Sequence, residues 1–213
     1  MRLHVHDSGD EGAPAIVCLH GVGDTGSMFA PLAARLPEFR LRAPDLRGHG
    51  ASGREPPWDV ETHVADVLET LGDVRACAWV GFSFGGRMAI ELAAREPERV
   101  ERLVLLDPAI RIRPERALEL AEQELAHAHP DYSQVAAIGM LGALAGRHAP
   151  VADVRAATLL VVPQDDAVTG PRQVAWFREH AQCALDVVRV LGGHNCLSDA
   201  FEPTAAAIAD FLR

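Results

Sequence analysis

The sequence predicts an α/β domain, a mostly parallel sheet with helices on both faces. Three observations carry this reading. Short apolar runs alternate with helical segments along most of the chain. Gly81-Phe82-Ser83-Phe84-Gly85 sets a serine between an apolar run and a helical segment. Residues able to complete a nucleophilic site stand on loops just past other apolar runs.

The apolar runs predict strands at 2–6, 15–19, 39–43, 76–80, 101–106, 158–162 and 185–190. Helical periodicity predicts helices at 27–36, 60–71, 84–95, 171–181 and 200–212. Strands alternating with helices make a largely parallel sheet, because a parallel pair needs a long crossover that packs on one face. Asp59 suits the N-cap of the helix starting at Val60, and Pro171 suits a first helical turn. Residues 107–156 break the alternation. Pro114–Ala126 reads as an amphipathic helix with Leu118, Ala121 and Leu125 on one stripe, and 131–145 as a second apolar helix. The chain thus divides into a core, 1–106 with 157–213, and a helical insertion at 107–156.

The pattern G-x-S-x-G gains meaning from its context. Arg75–Val80 reads as a buried strand and Gly86–Arg95 as a helix. A serine on so sharp a turn is held in a strained conformation with its hydroxyl exposed, and small residues two positions either side permit the turn. The N–H of Phe84 then points at the same spot, near the positive end of the helix. A nucleophilic serine needs a base, and the base an orienting acid. His194 follows the strand at 185–190, and Asp166 the strand at 158–162. Both are at the carboxyl ends of strands, where open α/β sheets keep their sites. Asp107 stands at the end of the strand at 101–106. His20-Gly21-Val22-Gly23 follows the strand at 15–19, and its glycine-rich turn lets the Val22 N–H face the serine. Val22 and Phe84 are the candidate pair of backbone donors. Met28 and Phe29 are the candidate substrate contacts.

Taken together, HGVGDTG (20–26), DLRGHGAS (45–52), GFSFGG (81–86), LVLLDPA (103–109), LLVVPQDD (159–166) and GGHN (192–195) resemble the α/β-hydrolase superfamily over almost the whole chain. The resemblance implies a serine hydrolase of a small carboxylic ester or lactone, with Ser83, His194 and Asp166 as catalytic residues. It implies no cofactor and no metal. It makes 107–156 a short cap bordering the site. One departure stands out: the family's usual glycine three residues before the acid is Pro163 here, which weakens the choice of Asp166 over Asp165. The resemblance also makes Asp107 an alternative acid, since some relatives take theirs from the strand that it follows. A cofactor-free perhydrolase or haloperoxidase, a thioesterase and a carbon–carbon bond hydrolase share the same triad and stay open. A non-catalytic binding protein or receptor on this fold is the reading from another class. Ser83 at the elbow argues against dehalogenases and epoxide hydrolases, which use Asp there.

Composition narrows the partners. The 213 residues suit one domain with a large core. A net charge of −10 argues against nucleic acid and anionic membranes, both of which select basic surfaces. All 20 basic residues are Arg, which removes Schiff-base chemistry and a P-loop lysine. Four scattered cysteines without a C-x-x-C pair read as reduced packing residues. The N-terminal segment enters a strand directly, without a charged leader and apolar core, so a cytoplasmic protein without a signal peptide is expected. His4-x-His6 and His127-x-His129 have metal-like spacing but lack further ligands in the sequence, and read as surface histidines. His20 reads as a support of its loop. Apolar side chains on the insertion leave room for a homodimer contact.

Overall fold

The computed structural model describes every residue except 73, 127–129 and 166. Seven strands form one sheet: β1 (Val5–Ser8), β2 (Ala15–Leu19), β3 (Arg40–Pro44), β4 (Ala76–Phe82), β5 (Arg102–Leu106), β6 (Ala157–Pro163) and β7 (Leu185–Val190). Their order is β1-β3-β2-β4-β5-β6-β7. Only the β1–β3 pairing is antiparallel, with Val5 opposite Pro44 and Ser8 opposite Leu41. β4 runs between β2 and β5, with Leu19 opposite Gly81 and Phe82 opposite Leu106. The carboxyl ends of β2, β4 and β5 therefore lie side by side.

The helices are α1 (Ala30–Arg35), α2 (Val60–Leu71), α3 (Phe84–Arg95), α4 (Pro114–Leu125), α5 (Gln134–Leu144), α6 (Pro171–His180), α7 (Cys196–Asp199) and α8 (Phe201–Leu212). Asp59 caps α2 by accepting the Thr62 N–H at 2.8 Å, and Pro171 opens α6. The central strands are buried on both faces, so they read as unbroken apolar runs. One face is covered by the cluster that includes Trp79, Met88, Leu92, Leu103 and Phe177. The other holds Phe29, Leu32, Phe82, Val104 and Ile208. Each such fully buried side chain contributes roughly 1.5–3 kcal/mol relative to exposure, which is how the sheet holds its strained turns in place. Among the described residues, no helix is long and apolar enough to cross a membrane.

The structure shifts some expected boundaries. The first strand is Val5–Ser8 rather than 2–6, because the Leu3 and His4 N–H groups donate to side-chain hydroxyls of Thr70 and Ser52 instead of a neighbouring strand. The helix expected at 27–36 is a 3-10 turn, Gly26–Phe29, followed by α1. The helix expected at 200–212 is α8, and the short α7 ahead of it was not expected from the sequence. In α4 the stripe faces the other way. Ala117 is buried, while Leu118 and Leu125 are 62% and 66% exposed. The helical period was right, but periodicity alone does not say which flank meets the core.

Candidate active site

The elbow is built by crowding. A Cβ on Gly81 would meet the Gly85 carbonyl oxygen at 2.5 Å, and one on Gly85 would meet the backbone oxygens of Leu19 and His20. Only glycine lets α3 pack so tightly against the ends of β4 and β2. Ser83 sits between them at φ 51° and ψ −113°. Asp107, at the end of β5, has φ 40°. Among the described residues these two are the non-glycine positions with positive φ. Such conformations persist only where neighbours over-determine them. Here the neighbours are each other's segments: the Ser83 N–H donates to the Leu106 carbonyl at 3.1 Å, and the Ala109 N–H donates to the Ser83 carbonyl at 2.9 Å.

Asp107 is fully buried. Its carboxylate accepts the N–H groups of Val168 and Thr169 at 2.8 and 2.7 Å. Its Oδ2 also lies 2.6 Å from Nδ1 of His194. With that nitrogen turned to the carboxylate, Nε2 is left for other work. The Phe82 ring lies 4.8 Å from the imidazole, centroid to centroid, and helps set its tilt. Asp166, the acid expected from the sequence, lies outside the described residues. Of the loop that carries it, the described Val168 and Thr169 serve as donors to Asp107.

The loop 20–23 is held by two neutral histidines. His20 Nε2 accepts the Leu46 N–H at 2.8 Å, so Nδ1 carries the proton and donates to the Gly21 carbonyl at 2.7 Å. His49 Nε2 accepts the Gly23 N–H at 3.1 Å, and its Nδ1 donates to the Arg47 carbonyl. Both rings are fully buried. Burial, with the neighbouring His49 ring, pushes His20 down to about 3, and burial pushes His49 down to about 4. Tyr132 stacks on His49 at 5.4 Å and donates its hydroxyl to Glu124 at 2.6 Å. Burial and that carboxylate push the phenol up to about 12. The turn after β3 thereby joins the loop at 20–23 to the base of α5. Nothing in the sequence marked His49 for this beyond its place in an R-G-H-G turn after a strand.

Ser83, His194, Val22 and Phe84 share one cavity of about 900 Å³. Among the described residues, neither the Val22 nor the Phe84 N–H has a backbone acceptor. Leu120, Leu141 and Leu144 bring α4 and α5 to the wall of the same cavity. Met28 and Phe29 are not brought there. Phe29 is buried in the core on the opposite face of the sheet, and Met28 packs against that same cluster, because the 3-10 turn rolls both away from the elbow.

The histidine pairs fare differently. His127 and His129 lie outside the described residues. His4 and His6 do gain a companion, since Asp45 comes within 4.8 Å of both. Its carboxylate is already engaged by His6 Nε2 and the Gly26 and Ala51 N–H groups, all at 2.9 Å. Burial works against the charge of Asp45, but these donors outweigh it and hold its carboxyl below the usual range. The group closes the turn 45–51 onto the loop at 26.

Residues 14–152 match the family described as the alpha/beta hydrolase fold. The chain belongs to the α/β-hydrolase family. Over its whole length this hydrolase is 39% identical to "Lipase LipV" of Mycobacterium tuberculosis, covering 83% of that protein. It spans 37% and 41% of two further curated relatives, matching about half of its own length in each. Among solved structures it is similar to the enol-lactonase from Burkholderia xenovorans LB400, with a TM-score of 0.86 at 24% identity over 99% of this chain and 96% of that one. It is also similar to an esterase from Exiguobacterium antarcticum, with a TM-score of 0.85 at 21% identity over 99% and 95% of the two chains. At those identities the structural likeness speaks for the fold.

Proposed function

We propose that this α/β-hydrolase cleaves a small carboxylic ester or lactone through an acyl-enzyme on Ser83. The observation that carries the proposal is His194, whose Nδ1 lies 2.6 Å from the fully buried Asp107 in the cavity that Ser83 lines. The acid in this reading is Asp107, in place of the Asp166 expected from the sequence. An imidazole Nδ1 has room for one carboxylate, and Asp107 occupies that position.

The steps follow from the atoms. His194 Nε2 takes the Ser83 hydroxyl proton as Oγ attacks the carbonyl carbon. Asp107 keeps the ring in the tautomer that leaves Nε2 free and stabilises the imidazolium. The carbonyl oxygen becomes an oxyanion between the Val22 and Phe84 N–H groups, whose interaction strengthens as charge develops. His194 then returns the proton to the leaving alkoxide, the carbon–oxygen bond breaks, and the alcohol departs. Water enters, gives its proton to His194, and attacks the acyl carbon. Collapse releases the acid and restores the Ser83 hydroxyl. For a lactone, the leaving oxygen stays on the acyl chain as a hydroxyl, and this last step releases the two together as one hydroxy acid.

The segment 107–156 acts as a short lid in this reading, supported by the α4 and α5 side chains on the cavity wall. The mycobacterial relative is named a lipase, which agrees with ester cleavage. The test is labelling by a fluorophosphonate probe together with turnover of p-nitrophenyl esters. Wild-type protein takes one label per chain and turns over; Ser83→Ala does neither. A label that persists in Ser83→Ala would remove the proposal.

A further inference from the structure

The cavity has a charge that the chain as a whole does not. Acidic residues outnumber basic ones 30 to 20, yet among the described residues Arg111, Arg113, Arg116 and Arg172 line the cavity against the one carboxylate of Glu124. Glu124 is already engaged by the Tyr132 hydroxyl. Arg116 is paired with Glu119, 3.1 Å away on the exposed surface of α4. Among the described residues, Arg111, Arg113 and Arg172 have no carboxylate partner.

Their placement runs against helix electrostatics. Arg113 is the N-cap residue of α4, and Arg116 lies in its first turn. Arg172 is the second residue of α6. Both helices begin with proline and present their positive ends, with unpaired N–H groups, to the same cavity. Cations at helix N-termini repel that positive end, and the usual occupants are anions or acidic side chains. Two helix starts and four guanidinium groups therefore line the cavity that Ser83 also lines, while Glu115, the acidic residue in the first turn of α4, is exposed and not among the lining residues. The same cavity also has apolar lining, from residues such as Ile110, Ile112 and Leu144.

We infer that the physiological substrate carries a carboxylate on its acyl part, separated from the scissile carbonyl by a short apolar stretch. Ser83 attacks the carbonyl, the apolar wall accepts the spacer, and the guanidinium groups at the starts of α4 and α6 receive the carboxylate. Guanidinium and carboxylate match as paired N–H donors and paired oxygens. The inference rests on the hydrolase reading above.

The test compares p-nitrophenyl hexanoate with mono-p-nitrophenyl adipate, which carries a carboxylate in place of the terminal methyl group, after subtracting spontaneous hydrolysis. At low ionic strength, kcat/KM favours the adipate by about tenfold, the size expected of a few partly solvated guanidinium–carboxylate contacts, with the gain in KM. Added 0.5 M salt, an amount that shortens the Debye length to about 4 Å, shrinks the ratio. The double variant Arg113→Gln, Arg172→Gln brings the ratio towards one. A ratio at or below one in the wild type, or one that ignores both salt and the double variant, overturns the inference while hexanoate turnover leaves the hydrolase reading standing. No turnover of either ester and no fluorophosphonate label would instead remove the hydrolase reading itself.

Discussion

Asp107 Oδ2 lies 2.6 Å from His194 Nδ1, a contact between residues 87 positions apart in the chain. The same carboxylate takes two N–H groups from the loop after β6. The segment that carries it also holds both sides of the Ser83 peptide unit, through the Leu106 carbonyl and the Ala109 N–H. Asp107 thus holds the His194 imidazole and lies in the brace of the strained turn at Ser83.

The acid can be located by substitution. In the proposed mechanism, Asp107→Asn lowers kcat by roughly 10³–10⁴ through loss of the correct imidazole tautomer. Asp166→Asn and Asp165→Asn change it far less. Steady-state kinetics on one p-nitrophenyl ester ranks the three. A large loss confined to Asp166→Asn would return the acid to the loop after β6.

Ser83→Ala removes the proposed nucleophile while keeping the backbone that α3 requires. Ester turnover falls to the uncatalysed background and the circular dichroism spectrum stays that of the parent. Residual turnover above a few per cent would show a different nucleophile.

Gly85→Ala tests the elbow's crowding independently of chemistry. The new Cβ would meet the carbonyl oxygens of Leu19 and His20, and these are backbone atoms of the central sheet that cannot step aside. Overpacking of this kind costs about 1–3 kcal/mol or more, or roughly 2–4 °C of Tm per kcal/mol in a domain of this size. Thermal unfolding reads it. An unchanged Tm would mean that the elbow is looser than the packing describes.

Acid sensitivity follows from the two buried histidines. His20 and His49 are pushed down to about 3 and about 4, chiefly by burial, from an ordinary value near 6.5. Below pH 6.5 the unfolded chain takes up protons that the folded chain refuses. Their contribution is therefore complete above pH 6.5 and is lost as pH falls towards 4. Each histidine adds a slope of roughly 1.4 kcal/mol per pH unit within that window. Urea unfolding at pH 7, 6 and 5 measures it. A flat free energy over that range would show that the rings are hydrated or paired when protonated.

Much of the molecule was legible in its residues. The seven strands, the cap at Asp59, the elbow around Ser83 and the loops bearing Val22 and His194 all depend on short-range patterns: apolar runs, glycine spacing, and a turn followed by a helix. Such patterns record local backbone requirements, and these are local in sequence as well as in space. Tertiary structure decided matters of proximity and facing. It put His194 beside Asp107, because β5 and its end residue lie one strand from the elbow and the loop after β6 supplies N–H groups to the buried carboxylate. It turned α4 so that Ala117 and Leu120 face inward and Leu118 outward, since helical periodicity is the same whichever flank is covered. It sent Phe29 to the far side of the sheet. It also gathered three arginines from two separate helix starts, and Arg111 from the loop before α4, into one cavity, a juxtaposition that exists only once the parallel sheet aligns its carboxyl ends.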